Sequence, residues 1–223
     1  AKAMARALEQ VGFTVTLRLD LNRAQLLNAV RTFKGQLSGG SEAVFYFAGH
    51  GVQLGAANYL LPTDITADNE EQVKDDGLPL QRVLNDIAEM RARFTLAIID
   101  ACRDNPFGSV KGVDQKGLSQ MDAPNETLLA YATSPGNVAS DGEGDNGLYT
   151  ENFLREMRVR EAKIEEVFKR VRLNVRLKSK GAQVPWESTS LEEDFWFQPP
   201  APLAAISQEE VERRRREEQA LLE

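Results

Sequence analysis

Two apolar runs, each ending on a reactive side chain, constrain this chain more than anything else in it. The first is Ala43-Val44-Phe45-Tyr46-Phe47-Ala48-Gly49-His50-Gly51; the second is Phe94-Thr95-Leu96-Ala97-Ile98-Ile99-Asp100-Ala101-Cys102-Arg103. Val44–Phe47 does not alternate, and Phe94–Ile99 is apolar almost throughout, so both predict strands covered on both faces. Each stops where a polar side chain can reach solvent. His50 is the only histidine and Cys102 the only cysteine among the 223 residues.

A cysteine attacks as its thiolate, and an unperturbed thiol, with a pKa of about 8.5, is only slightly ionised at neutral pH. An imidazole within reach takes the proton and later returns it to a leaving amine. Two adjacent parallel strands bring such a pair together when both residues sit at their C-terminal ends, where open α/β sheets carry their sites. Gly49 and Gly51 keep the approach to His50 free of side chains. The backbone N–H groups of Gly51 and Cys102 are the candidate oxyanion donors. Taken singly, the cysteine reads as a small buried hydrophobe and the histidine as a loop residue. Taken together, at the ends of two strands of one type, they read as a nucleophile and its base.

The remaining periodicity predicts alternating helices and strands. Met4, Leu8 and Val11 mark a helix stopped by Gly12, and Phe13 to Leu19 alternates as a half-exposed strand. Asn22 caps a helix striped by Leu26, Leu27, Val30, Phe33 and Leu37. Asn58–Pro62 is a short extended piece, 64–76 an acidic loop, and Leu80, Val83, Leu84 and Ile87 a further helical stripe. Residues 103–125 read as a long mobile loop, Thr127–Ala132 as a strand, and Ser134–Gly147 as a turn-rich loop. Helices follow over Tyr149–Met157 and Ile164–Val175, and closing strand segments at Trp186 and Phe195–Phe197. The expected fold class is α/β, a parallel-rich sheet with helices on both faces. Residue 1 opens inside a helical pattern, which in such a fold follows a mid-sheet strand, so a strand is expected upstream of it in the natural protein. Gln198–Ile206 is a Pro-rich linker and Ser207–Glu223 a charged helix opened by a capping box, read as a solvated connector.

Composition excludes several classes. A net charge of −7 gives no basic stripe for nucleic acid. One cysteine rules out an intrachain disulfide framework and a multi-thiolate zinc site. No run approaches the roughly 18 apolar residues of a membrane-spanning helix. No glycine-rich phosphate loop follows a strand. The compartment is unassigned, with a lean to the cytoplasm and an export signal upstream of residue 1 left open.

Ala101-Cys102-Arg103, with a histidine roughly 50 residues upstream, matches the centre of the caspase cysteine motif. The chain resembles the caspase-like cysteine peptidases, on the bacterial metacaspase side. Phe45–Gly51 looks like that family's histidine motif and Asp100–Phe107 like the bacterial form of its cysteine motif. Tyr131-Ala132-Thr133-Ser134-Pro135-Gly136 and Gln183–Ser188 look like further landmarks. The likeness covers residues 1–197, taken as one peptidase domain lacking the family's first strand. It implies an endopeptidase in which His50 is the general base and Cys102 the nucleophile; the alternative is a catalytically inactive caspase-like scaffold for protein interaction.

Caspases carry glutamine two residues before the cysteine and glycine after its arginine, where this chain has Asp100 and Asp104. In metacaspases and paracaspases an acid at the Asp100 position lines the S1 pocket, which implies a peptide or protein substrate with arginine or lysine at P1. A carboxylate on the nucleophile's face of the strand suits that cation; the other reading has Asp100 capping a helix or orienting a turn. Asp141 is a second S1 candidate or a plain turn residue. Lys111 and Lys116 in the 103–125 loop are candidate self-cleavage sites, as the family often matures there; an uncut surface loop is the equal alternative. Acids around Asp64–Asp76 invite a calcium reading, with Asp75 and Asp76 its candidates. The lack of an acid in Gln53–Tyr59 favours a solvated acidic loop, and no cofactor is expected. Caspases pair through an edge strand and metacaspases are often monomeric, so the oligomeric state stays open.

Overall fold

The structure is a computed structural model that describes residues 1–66, 69–101, 118–134 and 146–200, with Cys102 described through its backbone alone. The central element is β4 (Phe94–Cys102), the second of the two apolar runs. On one side it pairs in parallel along its whole length with β1 (Glu42–Leu54), in register from Glu42 opposite Phe94 to His50 opposite Cys102. On the other it pairs in parallel with β5 (Thr127–Tyr131), which pairs antiparallel with β6 (Trp186–Thr189).

β1 changes partner beyond His50. Gly51–Leu54 pairs antiparallel with β2 (Ala57–Leu60) across a turn in which Gly55 has φ 59°. β3 (Leu78–Pro79) adds antiparallel to β2, and the six-stranded order is β3-β2-β1-β4-β5-β6. Among the described residues, no strand pairs with the other edge of β1 along Glu42–Gly49. That open edge leaves Val44–Phe47 half-buried, whereas Leu96–Ile98 of β4 has no exposure at all.

The pleat sorts β4 into two cores. Phe94, Leu96 and Ile98 join Leu128 and Ala130 of β5 against α1 (Lys2–Gln10), α5 (Leu148–Glu156) and α6 (Ile164–Lys178). Ala97, Ile99 and Ala101 join Leu129 and Tyr131 against α2 (Arg23–Gln36) and α4 (Leu80–Ala88). Both faces of the strand are apolar because both are covered by helices. Each fully buried leucine or isoleucine contributes about 1.5–3 kcal/mol relative to exposure.

Asn22 caps α2 as its residue type demands. Its side chain accepts from the Gln25 N–H, and the Gln25 side chain accepts from the Asn22 N–H.

Three segments depart from the pattern expected of them. Phe13–Leu19 has the alternation of a strand but makes no ladder with a described strand; Phe13 and Val15 pack on the first core, while Leu17 and Leu19 are 38% and 41% exposed. Alternation encodes two faces, not a partner. Glu70–Asp76, read as loop, is α3, opened by the Asn69 side chain accepting from the Gln72 N–H. Glu70 and Glu71 occupy its first turn, where the helix dipole favours them, whereas Asp75 and Asp76 fall at its C-terminal end. Phe195–Phe197 is not a strand. Phe195 and Phe197 anchor in the first core, Phe195 stacking on Phe94 at 3.9 Å, and the Phe195 and Gln198 carbonyls accept from Ile164 and Glu161 in the α5–α6 region.

The end of the long loop is fixed. Leu118 is buried, and Ser119 exchanges backbone hydrogen bonds with the Asn58 side chain (2.7 and 2.8 Å). The segment from 201, which includes most of the expected linker and the whole charged tail, lies outside the described residues.

Candidate active site

Because β1, β4 and β5 are parallel, their C-terminal ends share one rim. The register sets His50 directly opposite Cys102 at that rim, on neighbouring strands. Such positions lie about 4.8 Å apart across the sheet, close enough for two side chains to exchange a proton. His50 is exposed to solvent. It is also the last residue of β1 before the strand leaves β4; its carbonyl accepts from the Leu61 N–H at 3.0 Å.

Gly51 is buried, and its lack of a side chain is a packing requirement. A Cβ there would meet the Ala101 Cβ and Leu118 Cδ2 at 3.3 Å and the Tyr59 carbonyl at 3.4 Å. A side chain at this position would press on the strand that carries Cys102 and on the anchored end of the long loop.

Asp100 stands opposite Ala48, in the strand parity of Leu96 and Ile98 and of position 102. It is half-buried, and its Oδ2 accepts a hydrogen bond from Thr150 Oγ1 at 2.5 Å. Thr150, in the first turn of α5, is buried, and its hydroxyl lies 2.7 Å from the Tyr46 hydroxyl. Burial, and then the Asp100 charge, raise the Tyr46 phenol above its ordinary pKa, with the Thr150 hydrogen bond opposing; Tyr149 is raised for the same two leading reasons. Both phenols are therefore neutral at ordinary pH. Sequence reasoning missed Thr150 and Tyr46. The one available signal was the tyrosine hydroxyl inside a non-alternating apolar strand, which must find a partner when buried.

Asp75 and Asp76 lie at the end of α3. Arg23 donates to the Asp75 carbonyl at 2.8 and 3.0 Å and lies 3.9 Å from the Asp76 carboxylate, while Asp64 accepts from the Arg23 N–H. No three histidine, cysteine, aspartate or glutamate side chains gather into a metal-binding group among the described residues. Asp141, Lys111 and Lys116 lie outside the described residues. Trp186, opposite the last residue of β5, is 39% exposed at the same rim. Trp196 is at the other end of the sheet, in a cleft of about 350 Å³ with Phe13, Glu42 and Arg93.

A mixed six-stranded sheet, parallel at its centre and covered by helices on both faces, with a histidine and a cysteine side by side at its rim, is the framework of a caspase-like cysteine peptidase. The family model described as "Caspase domain" matches residues 1–196, and the chain belongs to that family. Over 165 residues it is 26% identical to mucosa-associated lymphoid tissue lymphoma translocation protein 1 of Homo sapiens and to the homolog of that protein in Mus musculus. The alignment covers 72% of this chain and 19% of each relative, so the chain spans a minor part of the curated relatives it matches. Membership of that family implies a cysteine-protease-like domain. Among the described residues no helix is long and apolar enough to cross a membrane.

Proposed function

We propose that this domain is a cysteine endopeptidase of metacaspase type that cleaves after arginine or lysine, with His50 as general base and Cys102 as nucleophile. The carrying observation is the register that sets His50 opposite Cys102 at the rim of two parallel strands. His50 takes the thiol proton, and the thiolate attacks the scissile carbonyl carbon. The resulting oxyanion is held by the N–H groups of Gly51 and Cys102. As the tetrahedral intermediate collapses, the C–N bond breaks and His50 passes its proton to the leaving amine. Water, deprotonated by His50, then attacks the thioester carbonyl; the C–S bond breaks, the acyl group leaves as a carboxylic acid, and His50 returns the proton to the Cys102 sulfur. Asp100, two residues before the nucleophile, receives the basic P1 side chain, with Asp141 as a second acid. Lys111 and Lys116 are the sites of self-processing, Asp75 and Asp76 the candidates for any calcium response.

Fluorogenic peptides with Arg, Lys or Asp at P1 test this reading. Turnover is expected for Arg and Lys and not for Asp; equal or greater cleavage after Asp would overturn the S1 assignment. Cys102→Ala is expected to abolish turnover and His50→Ala to lower kcat/KM by at least about a hundredfold. Activity surviving in Cys102→Ala would overturn the mechanism.

A further inference from the structure

We infer that Thr150, held in turn by Tyr46, is a specificity-positioning residue that aims the Asp100 carboxylate, favouring arginine over lysine at P1; this rests on the reading that Asp100 receives the P1 cation. The direction of the hydrogen bonds follows from their chemistry. An ionised carboxylate only accepts, and a threonine hydroxyl has one proton. Thr150 gives that proton to Asp100 Oδ2, so at the 2.7 Å contact it is the Tyr46 hydroxyl that donates to Thr150 Oγ1. The result is a one-way chain, Tyr46 to Thr150 to Asp100, in which each bond polarises the next.

The chain joins three elements that cannot shift independently. Tyr46 is on β1, in register with Ile98; Asp100 is on β4, two residues further along; Thr150 is in the first turn of α5. Thr150 is buried and Tyr46 half-buried, so bulk water does not readily substitute for the Thr150 hydroxyl. The fold therefore holds the Asp100 Oδ2 through a buried hydroxyl.

Orientation matters unequally to the two basic residues. A guanidinium is planar and bonds a carboxylate through two parallel N–H groups, which demands a fixed carboxylate plane; an ammonium is close to a point charge with rotatable donors. Loss of positioning should therefore penalise arginine more than lysine. In Thr150→Val, which keeps the shape and removes the hydroxyl, KM for an Arg-P1 peptide should rise roughly tenfold, and for the matched Lys-P1 peptide by less than about threefold. The kcat for both should change little. Thr150→Ser should restore the wild-type ratio, and Tyr46→Phe should shift it in the same direction by a smaller factor.

The same comparison is made by calorimetric binding of an Arg-P1 and a Lys-P1 peptide in the Cys102→Ala background, with thermal midpoints recorded for each variant. Parallel losses for Arg and Lys, following a fall in thermal midpoint, would overturn the proposal, as would unchanged binding of both peptides. Asp100→Asn separates the two levels. If it leaves the Arg and Lys preference intact, the S1 reading itself fails. If it abolishes that preference while Thr150→Val does nothing, only the positioning role fails.

Discussion

At the scale of single residues, the site is a set of positions where one atom more or less changes the outcome. Gly51 shows it most directly. A methyl group there would meet Ala101 and Leu118 at 3.3 Å, so one of two packed neighbours must move. Gly51→Ala is expected to destabilise the domain by about 1–3 kcal/mol, measured as a lower denaturant midpoint, and to lower turnover as the strand carrying Cys102 is displaced. His50 and Cys102 were legible in the sequence because each is unique in the chain and each closes an apolar run of strand type. Asp100 was legible as a carboxylate two residues from Cys102. Its partners were not. Thr150 is 50 residues away and Tyr46 a further 104 from Thr150 along the chain, and no local pattern marks a hydroxyl–hydroxyl–carboxylate contact.

At the scale of elements, what could be read depended on whether the signal was local. The cap of α2 is local, and Asn22 with Gln25 announces it. The stripe of α4 and the buried strand at Phe94–Ile99 are also local patterns, and they hold in the structure to within a few residues, whereas Val44–Phe47 is a strand but only half-buried. Pairing is not local. Phe13–Leu19 alternates without a partner, and Phe195–Phe197 alternates because Phe195 and Phe197 anchor in a core while the backbone bonds to the α5–α6 connection. Neither sequence could tell those cases from a strand. For β4 the physical consequence is strong coupling of both layers. Leu96→Ala, at a position with no exposure, should cost about 2–5 kcal/mol in a urea titration, since the cavity lies between two rigid neighbouring strands. Thr14→Ala, on an exposed segment without a ladder, should change stability by less than about 0.5 kcal/mol.

At the scale of the whole molecule, the two cores are tied through the sheet, and two phenols, Tyr149 buried and Tyr46 half-buried, give it an alkaline sensitivity. Tyr46 and Tyr149 are neutral in the fold well above the pH at which a free phenol ionises, about 10. Above that pH the unfolded chain loses protons that the folded chain keeps. Stability that is complete below pH about 10 therefore falls as pH rises, by about 1.4 kcal/mol per unit for each group until its folded pKa is reached. Lys34, Lys74 and Lys163, raised by their acidic partners, lose stabilising pairs in the same direction, with little weight because they are exposed. Thermal midpoints measured from pH 8 to 11 should fall with a slope that becomes shallower in Tyr46→Phe.

The order of strands has a further consequence for a chain that has been cut. A break between Cys102 and Leu118 would divide the polypeptide into one piece bearing β1 to β4 and another bearing β5 and β6. The hydrogen-bonded seam between β4 and β5 would then become a seam between two molecules. Helices α1, α5 and α6, drawn from both pieces, would still share one interior, and Ser119 would still clasp Asn58 across the break. Such a protein would be a heterodimer by covalent count and a single domain by every other measure. The pairing of β1 with β4 that sets His50 opposite Cys102 lies wholly within the first piece and would be untouched by the cut.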